Sequence, residues 1–284
     1  MSVVLQLHLR LSRQYGKAMY VCPECKGPLR GLACDSCGLE FSSVEGIPNF
    51  LLRGTHFADV NEISARYDTI YKEHTGAWED QGRTEAFLDY FSRLAGTLSN
   101  GRVLEVGCGE GFLLAALTAT ETAAVDLSIA AVKKARERVN SAYALALAER
   151  LPFPSGSFDL VISVGVMEHF LDDNAATTEI RRVLKPGGHY LVLIHVYLSW
   201  FERLLQKTRE FIFPRPRPLA LLRWVSKRAL RPTHQPISRA YTQASARACL
   251  ERNGLVVRRT ISLRTDPDVP LIGPHVVIYI AGRA

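Results

Sequence analysis

The middle of the chain alternates between strand-like and helix-like patterns. Val103, Leu104 and Val106 form a short apolar run that predicts a strand, and the run ends on glycines. Leu113, Leu114 and Leu117 follow at helical spacing. Residues 122–126 predict a second strand closed by an acid, and Ser128 then suits the N-cap of a helix over 129–139. A further apolar run at 191–194 and two late strands at 254–263 and 275–281 complete the pattern. Strands alternating with helices predict an α/β fold with a doubly wound, mostly parallel sheet. Upstream, a helix carries Tyr67, Asp68 and Tyr71, with Trp78 in a loop beyond it. Downstream, residues 198–213 and 219–230 place apolar side chains at helical spacing on either side of a proline-rich break at 214–218.

Composition narrows the class. With 47% hydrophobic and 22% charged residues in 284, wholesale disorder and fibrous architectures are excluded. No apolar run is long enough to cross a bilayer. Residues 3–11 are apolar but short and lack a basic leader, so we expect no secretory signal and a cytoplasmic protein. The formal charge of +7 is concentrated: residues 201–232 hold 9 basic and 2 acidic groups. That segment reads as a basic helical insertion at 197–238. It is expected to close over an acceptor, to rest on an anionic membrane surface at the inner membrane face, or, less favoured, to contact RNA.

Four of the six cysteines fall within sixteen residues, as Cys22, Cys25, Cys34 and Cys37. Two Cys-x-x-Cys knuckles at this separation suit a tetrahedral zinc–thiolate site. All four ligands are thiolates, which leaves no open position, so the Zn2+ is expected to be structural. Gly27 and Gly38 are expected to supply positive φ after each knuckle. Residues 1–53 are too few to form much core, and the metal would supply the missing stability. Cys22, Pro23, Cys25, Gly27 and Leu29, closed by Gly46, Ile47, Pro48 and Leu51, resemble the Trm112-like zinc ribbon, a module that scaffolds or activates methyltransferases.

The glycines at 107, 109 and 111 sit between the first strand and the first helix, where a nucleotide-binding turn belongs. Their spacing is GxGxG rather than the GxGxxG of dinucleotide enzymes. Glu105, just before them, would repel a diphosphate and attract an ammonium group. Asp126, at the end of the second strand, can accept both hydroxyls of a ribose. With residues 148–154, 157–163, 166–170 and 184–193, this turn resembles the class I S-adenosylmethionine-dependent methyltransferases, in the small-molecule, ubiquinone-biosynthesis-like subfamily.

The resemblance implies a seven-stranded, Rossmann-like sheet with its last strand antiparallel, in a domain over 54–284. It implies that Gly107, Gly109 and Gly111 line the methionyl and ribose side, with Glu105 on the amino group and Asp126, beside Leu127, on the ribose. Ala148 and Glu149 would hold the adenine, Val164 would end the fourth strand at the cofactor, and Tyr67 would fold over the methionyl end. One departure is Leu147, where the family often carries an acid aimed at adenine.

Methyl transfer from a sulfonium needs alignment first and a base only where the nucleophile must lose a proton. His169 and His195 lie where strands four and five end, and Tyr241 precedes a late helix, so these three are the candidate catalytic groups. The expected activity is methyl transfer to a small-molecule or lipid-like acceptor. The alternatives are an RNA base methyltransferase and a catalytically silent zinc-ribbon scaffold.

Overall fold

A computed structural model describes residues 20–51, 60–73, 85–197, 237–262 and 275–283. Trp78, residues 3–11 and the basic stretch 201–232 lie outside the described residues. Among those described, no helix is long and apolar enough to cross a membrane.

The core is one sheet flanked by helices. In chain order it comprises β3 (Ser42–Val44), β4 (Ile47–Asn49), β5 (Arg102–Val106), β6 (Glu121–Asp126), β7 (Ala142–Leu145), β8 (Phe158–Val164), β9 (Leu184–His195), β10 (Leu255–Ile261) and β11 (Val276–Arg283). The spatial order is β10-β11-β9-β8-β5-β6-β7-β4-β3. Strands β7, β6, β5, β8 and β9 run parallel, and β11 is antiparallel to both β9 and β10. The expected seven strands are therefore present, with the last one antiparallel.

The count of seven is too low for the whole sheet, which has nine strands. The two extra strands come from the cysteine-rich module. Glu45 and Gly46, both at positive φ, form a two-residue turn that folds β3 onto β4. Strand β4 then lies parallel to β7 through Asn49 and Leu145, and the Phe50 N–H donates to the Leu145 carbonyl at 2.8 Å. The physical reason is the exposed edge that β7 would otherwise present. A small two-stranded ladder, β1 (Leu29–Arg30) with β2 (Ala33–Cys34), holds the knuckles.

The module is not a separate body. Tyr20, Cys22, Leu29, Cys34 and Phe50 share one core cluster with Leu104, Val125 and Phe153. The Tyr20 hydroxyl donates to the Tyr143 carbonyl at 3.0 Å, and the Val21 N–H donates to Pro152 at 3.0 Å. Ion pairs between Glu24 and Arg150 and between Lys26 and Glu179 close the seam. Residues 143–153 thus have the cysteine module as their backing.

Helices α1 (Val60–Glu73), α2 (Glu85–Leu98), α3 (Phe112–Ala116), α4 (Ile129–Arg138), α5 (Asp173–Val183) and α6 (Gln243–Arg252) cover the sheet. Their buried stripes follow the helical period, as with Phe87, Phe91, Leu94 and Ala95 of α2. Ser128 caps α4 as expected, its hydroxyl accepting from the Ala131 N–H.

Candidate functional site

The four thiols of the knuckles converge. Their sulfurs all lie within 4.8 Å of one another, with Cys22–Cys37 at 3.7 Å and Cys25–Cys34 at 3.4 Å. A disulfide needs about 2.05 Å, whereas a tetrahedron of metal–sulfur bonds near 2.3 Å sets the sulfurs about 3.8 Å apart. The arrangement fits a tetrathiolate ion and no disulfide. The backbone solution differs from expectation at one knuckle. Lys26 and Gly38, each directly after the second cysteine, take positive φ. Gly27 is instead needed for space, because a Cβ there would lie 2.3 Å from the Ser36 hydroxyl.

At the carboxyl end of β5 the chain turns through Gly107, Gly109 and Gly111, all at positive φ. A Cβ on Gly107 would strike the Val166 side chain at 2.5 Å, and one on Gly111 would lie 2.8 Å from the Ala135 Cβ. The turn is therefore both left-handed and packed tightly against the β8 and α4 sides. The Gly107 and Cys108 N–H groups donate to the Val125 carbonyl, which fixes the turn to β6.

Asp126 stands at the end of β6. Its Oδ2 accepts the Gly109 N–H at 2.9 Å and its Oδ1 accepts the Ser128 N–H at 2.9 Å. Burial pushes its carboxyl above the ordinary range, while the backbone N–H groups pull the other way and offset only part of the shift. Glu105 is buried in β5. The neighbouring Leu127 carbonyl accepts the Ser64 hydroxyl at 2.8 Å. Asp68 accepts from the Ser128 hydroxyl at 2.5 Å and from the Ala130 N–H at 3.0 Å. Together these bonds strap α1 across the β6–α4 loop.

The strap carries two tyrosines toward the turn. Tyr71 places its hydroxyl 2.9 Å from where a Gly109 Cβ would be. The Tyr67 hydroxyl is buried and has no hydrogen-bond partner among the described residues. Burial, with Asp126 and then Glu168 nearby, pushes its pKa well up, so it stays a donor. A buried hydroxyl without a partner costs free energy, and one near the Asp126 and Glu168 carboxylates fits a polar ligand.

Ala148 and Glu149 lie in a 3-10 turn after β7 and are buried. Glu149 Oε1 accepts the N–H groups of Leu171 (2.7 Å) and Asp172 (3.2 Å). This bracket joins the loop after β7 to the loop before α5. Val164 is buried at the end of β8.

The three catalytic candidates separate. His169 Nδ1 lies 2.5 Å from the Ile237 carbonyl, which can only accept, so Nδ1 carries the proton. Burial holds the His169 pKa below the usual histidine value. His195, half-exposed at the end of β9, places Nδ1 2.6 Å from Oε1 of the buried Glu168. Tyr241 is buried, and its hydroxyl donates to Asp173 Oδ2 at 2.6 Å. Tyr241 therefore anchors the start of α5 rather than facing an acceptor, because its proton is committed to that carboxylate. Glu168, next to His169 within residues 166–170, is the side chain that the fold brings to His195, and its adjacency to that histidine is its one local signal.

Residues 104–192 match the methyltransferase domain family. A 27-O-demethylrifamycin SV methyltransferase of Amycolatopsis mediterranei is 32% identical over 152 residues, covering 45% of this chain and 56% of that one. A ubiquinone biosynthesis O-methyltransferase of Alkalilimnicola ehrlichii is 32% identical over 151 residues, covering 48% and 58%. The chain thus spans just over half the length of these curated relatives. An S-adenosylmethionine-dependent methyltransferase of Thermotoga maritima shares the fold at TM-score 0.53 and 18% identity, covering 78% of this chain and 100% of that one. A chain from the complex of the Haloferax volcanii Trm112 activator with a methyltransferase does so at TM-score 0.55 and 18% identity, covering 78% and 96%. The two structural likenesses show a shared Rossmann-like fold with a mostly parallel central sheet.

Proposed function

We propose that this methyltransferase domain binds S-adenosylmethionine at the β5–β6 crevice and methylates a small-molecule acceptor, with a structural zinc ion in the Cys22, Cys25, Cys34 and Cys37 cluster. The observation that carries the reading is the Asp126 carboxylate, fixed by Gly109 and Ser128 and overhung by the buried Tyr67 hydroxyl. Bound there, S-adenosylmethionine supplies an activated methyl group on a sulfonium. Asp126 accepts the ribose hydroxyls with its remaining lone pairs, and buried Glu105 meets the amino group of the methionyl end. Gly107, Gly109 and Gly111 give the backbone its close approach. Leu127, Ala148 and Val164 supply apolar walls, and Leu147, replacing an acid, leaves adenine to backbone contacts and Glu149.

The relatives support a small-molecule acceptor, since two of them are named for rifamycin and ubiquinone chemistry. The zinc module supports the β7 edge and the loop at 148–153 from behind, so its part is to hold the adenine side in place. The test is calorimetric titration of the zinc-loaded chain with S-adenosylhomocysteine, the cofactor product. One site per chain is expected. A folded protein that shows no binding at millimolar ligand sinks the reading and leaves the scaffold alternative.

A further inference from the structure

We infer that Glu168 and His195 form a positioned base pair that takes the proton from an acceptor hydroxyl, so that the acceptor is methylated on oxygen. This rests on the cofactor site proposed above and adds the acceptor chemistry to it.

The first observation is placement. Gly165, at positive φ, follows β8, and a Cβ there would lie 3.3 Å from the His195 ring. The next residue, Val166, fills the space beside Gly107 of the glycine turn. Two consecutive residues thus touch the cofactor turn on one side and His195 on the other. The imidazole therefore stands at the carboxyl edge of the sheet, next to the crevice where a sulfonium methyl would be presented.

The second observation is orientation. Glu168 is 5% exposed, and its Oε1 lies 2.6 Å from His195 Nδ1. A carboxylate in that position selects the Nδ1–H tautomer and leaves the Nε2 lone pair free. Among the described residues nothing hydrogen-bonds to Nε2, and the His195 side chain is 50% exposed. His169 cannot serve equally well, because it is largely buried and its Nδ1 is held by the Ile237 carbonyl.

The third observation is the state of Glu168 itself. Its Oε2 is buried without a hydrogen-bond partner. Nδ1 of His195 is thus the one hydrogen-bond partner of this carboxylate among the described residues, and the carboxylate has no other bond to turn it away from the ring. The neighbouring titratable groups are His169, Tyr67 on α1 and Tyr190 on β9.

A hydroxyl is a poor nucleophile until its proton leaves, so a base held beside the presented methyl group serves an oxygen acceptor directly. The step balances. The acceptor oxygen bonds the methyl carbon, the carbon–sulfur electron pair remains on sulfur, and the hydroxyl proton moves to Nε2. His195 is the base and Glu168 a positioning residue.

The test uses the full chain saturated with S-adenosylhomocysteine. Nitrogen-15 spectra of neutral His195 should show the Nδ1–H tautomer, and Glu168→Ala should shift it toward Nε2–H with S-adenosylhomocysteine affinity unchanged. Glu168→Gln, which keeps an oxygen for Nδ1–H, should restore the tautomer but not the full rate. With methyl-labelled cofactor and a metabolite extract, kcat in Glu168→Ala should fall about a hundredfold with the cofactor KM unchanged. Hot hydriodic acid should release the product label as volatile methyl iodide, the behaviour of an O-methyl group. An Nε2–H tautomer in the unaltered chain, or a label held on nitrogen or carbon, overturns the inference. Loss of S-adenosylhomocysteine binding in the unaltered chain would instead strike the cofactor site beneath it.

Discussion

Around the β5–β6 crevice, the groups offered to a ligand are mostly backbone, shaped by Gly107, Gly109 and Gly111 and fixed by one side chain, Asp126. Past the ends of β8 and β9 they are side chains, Glu168 and His195, brought together from 27 positions apart. The first arrangement suits a constant ligand, because backbone N–H groups and missing Cβ atoms recognise shape and a few fixed polar atoms. The second suits a variable ligand, because a side-chain pair can change its chemistry by one substitution without disturbing the turn. The contrast teaches that the proposed cofactor and acceptor sites are built from different materials, one from backbone and one from side chains.

The largest effect is expected at the backbone half. Gly111→Val places a branched side chain at positive φ and against Ala135, which should destabilise the fold by about 3 kcal/mol and abolish S-adenosylhomocysteine binding, as read by thermal melts and calorimetry. Unchanged binding would show that the turn is not the cofactor cradle. Next comes Asp126→Ala, which removes a charged acceptor and should weaken S-adenosylhomocysteine by about 2 kcal/mol, or some thirtyfold. In the side-chain half, His195→Gln should leave that affinity intact and lower methyl transfer by about a hundredfold, so the two halves separate into a Kd effect and a kcat effect. A matching loss of cofactor affinity would break the comparison.

Two smaller effects serve as controls. Tyr241→Phe deletes the bond to Asp173 and should cost about 1 kcal/mol of stability, with S-adenosylhomocysteine affinity unchanged. A turnover loss beyond that shift would return Tyr241 to the acceptor site. Asp159 lies at the start of β8, at the sheet edge opposite the site, where it pairs with Lys185 at 2.8 Å and accepts the Arg102 N–H at 2.9 Å. Burial raises its carboxyl, but Lys185 and Arg102 outweigh that and hold it below the ordinary value. A depressed carboxyl contributes stability above its unfolded pKa and loses it as pH falls through the lower folded value. The gap in melting temperature between the unaltered chain and Asp159→Asn should therefore shrink below about pH 4. A gap independent of pH would remove the electrostatic account.

The same division decides what the chain could reveal before folding. The glycine spacing, Asp126, the Ser128 cap and the paired knuckles are local patterns, each set by residues within a few positions. Side-chain partnerships across the fold are not local. Nothing near Tyr241 shows that Asp173 awaits its hydroxyl, and nothing near Glu149 shows that Leu171 and Asp172 will claim its Oε1. The nine-stranded sheet escaped for a similar reason. The hairpin at 42–49 is readable as a turn, but its docking on β7 depends on an edge built a hundred residues later. Even within a knuckle the sequence misleads, since Lys26, not Gly27, takes the left-handed position.

The central claim is that the backbone-built crevice holds S-adenosylmethionine. Titration calorimetry of the zinc-loaded chain with S-adenosylhomocysteine tests it most directly, with Asp126→Ala alongside. The account predicts one site with Kd of about 1–100 μM, within the span common for enzyme ligands, and a clear weakening in Asp126→Ala. A folded chain that binds nothing, or that binds equally well without the Asp126 carboxylate, would contradict it.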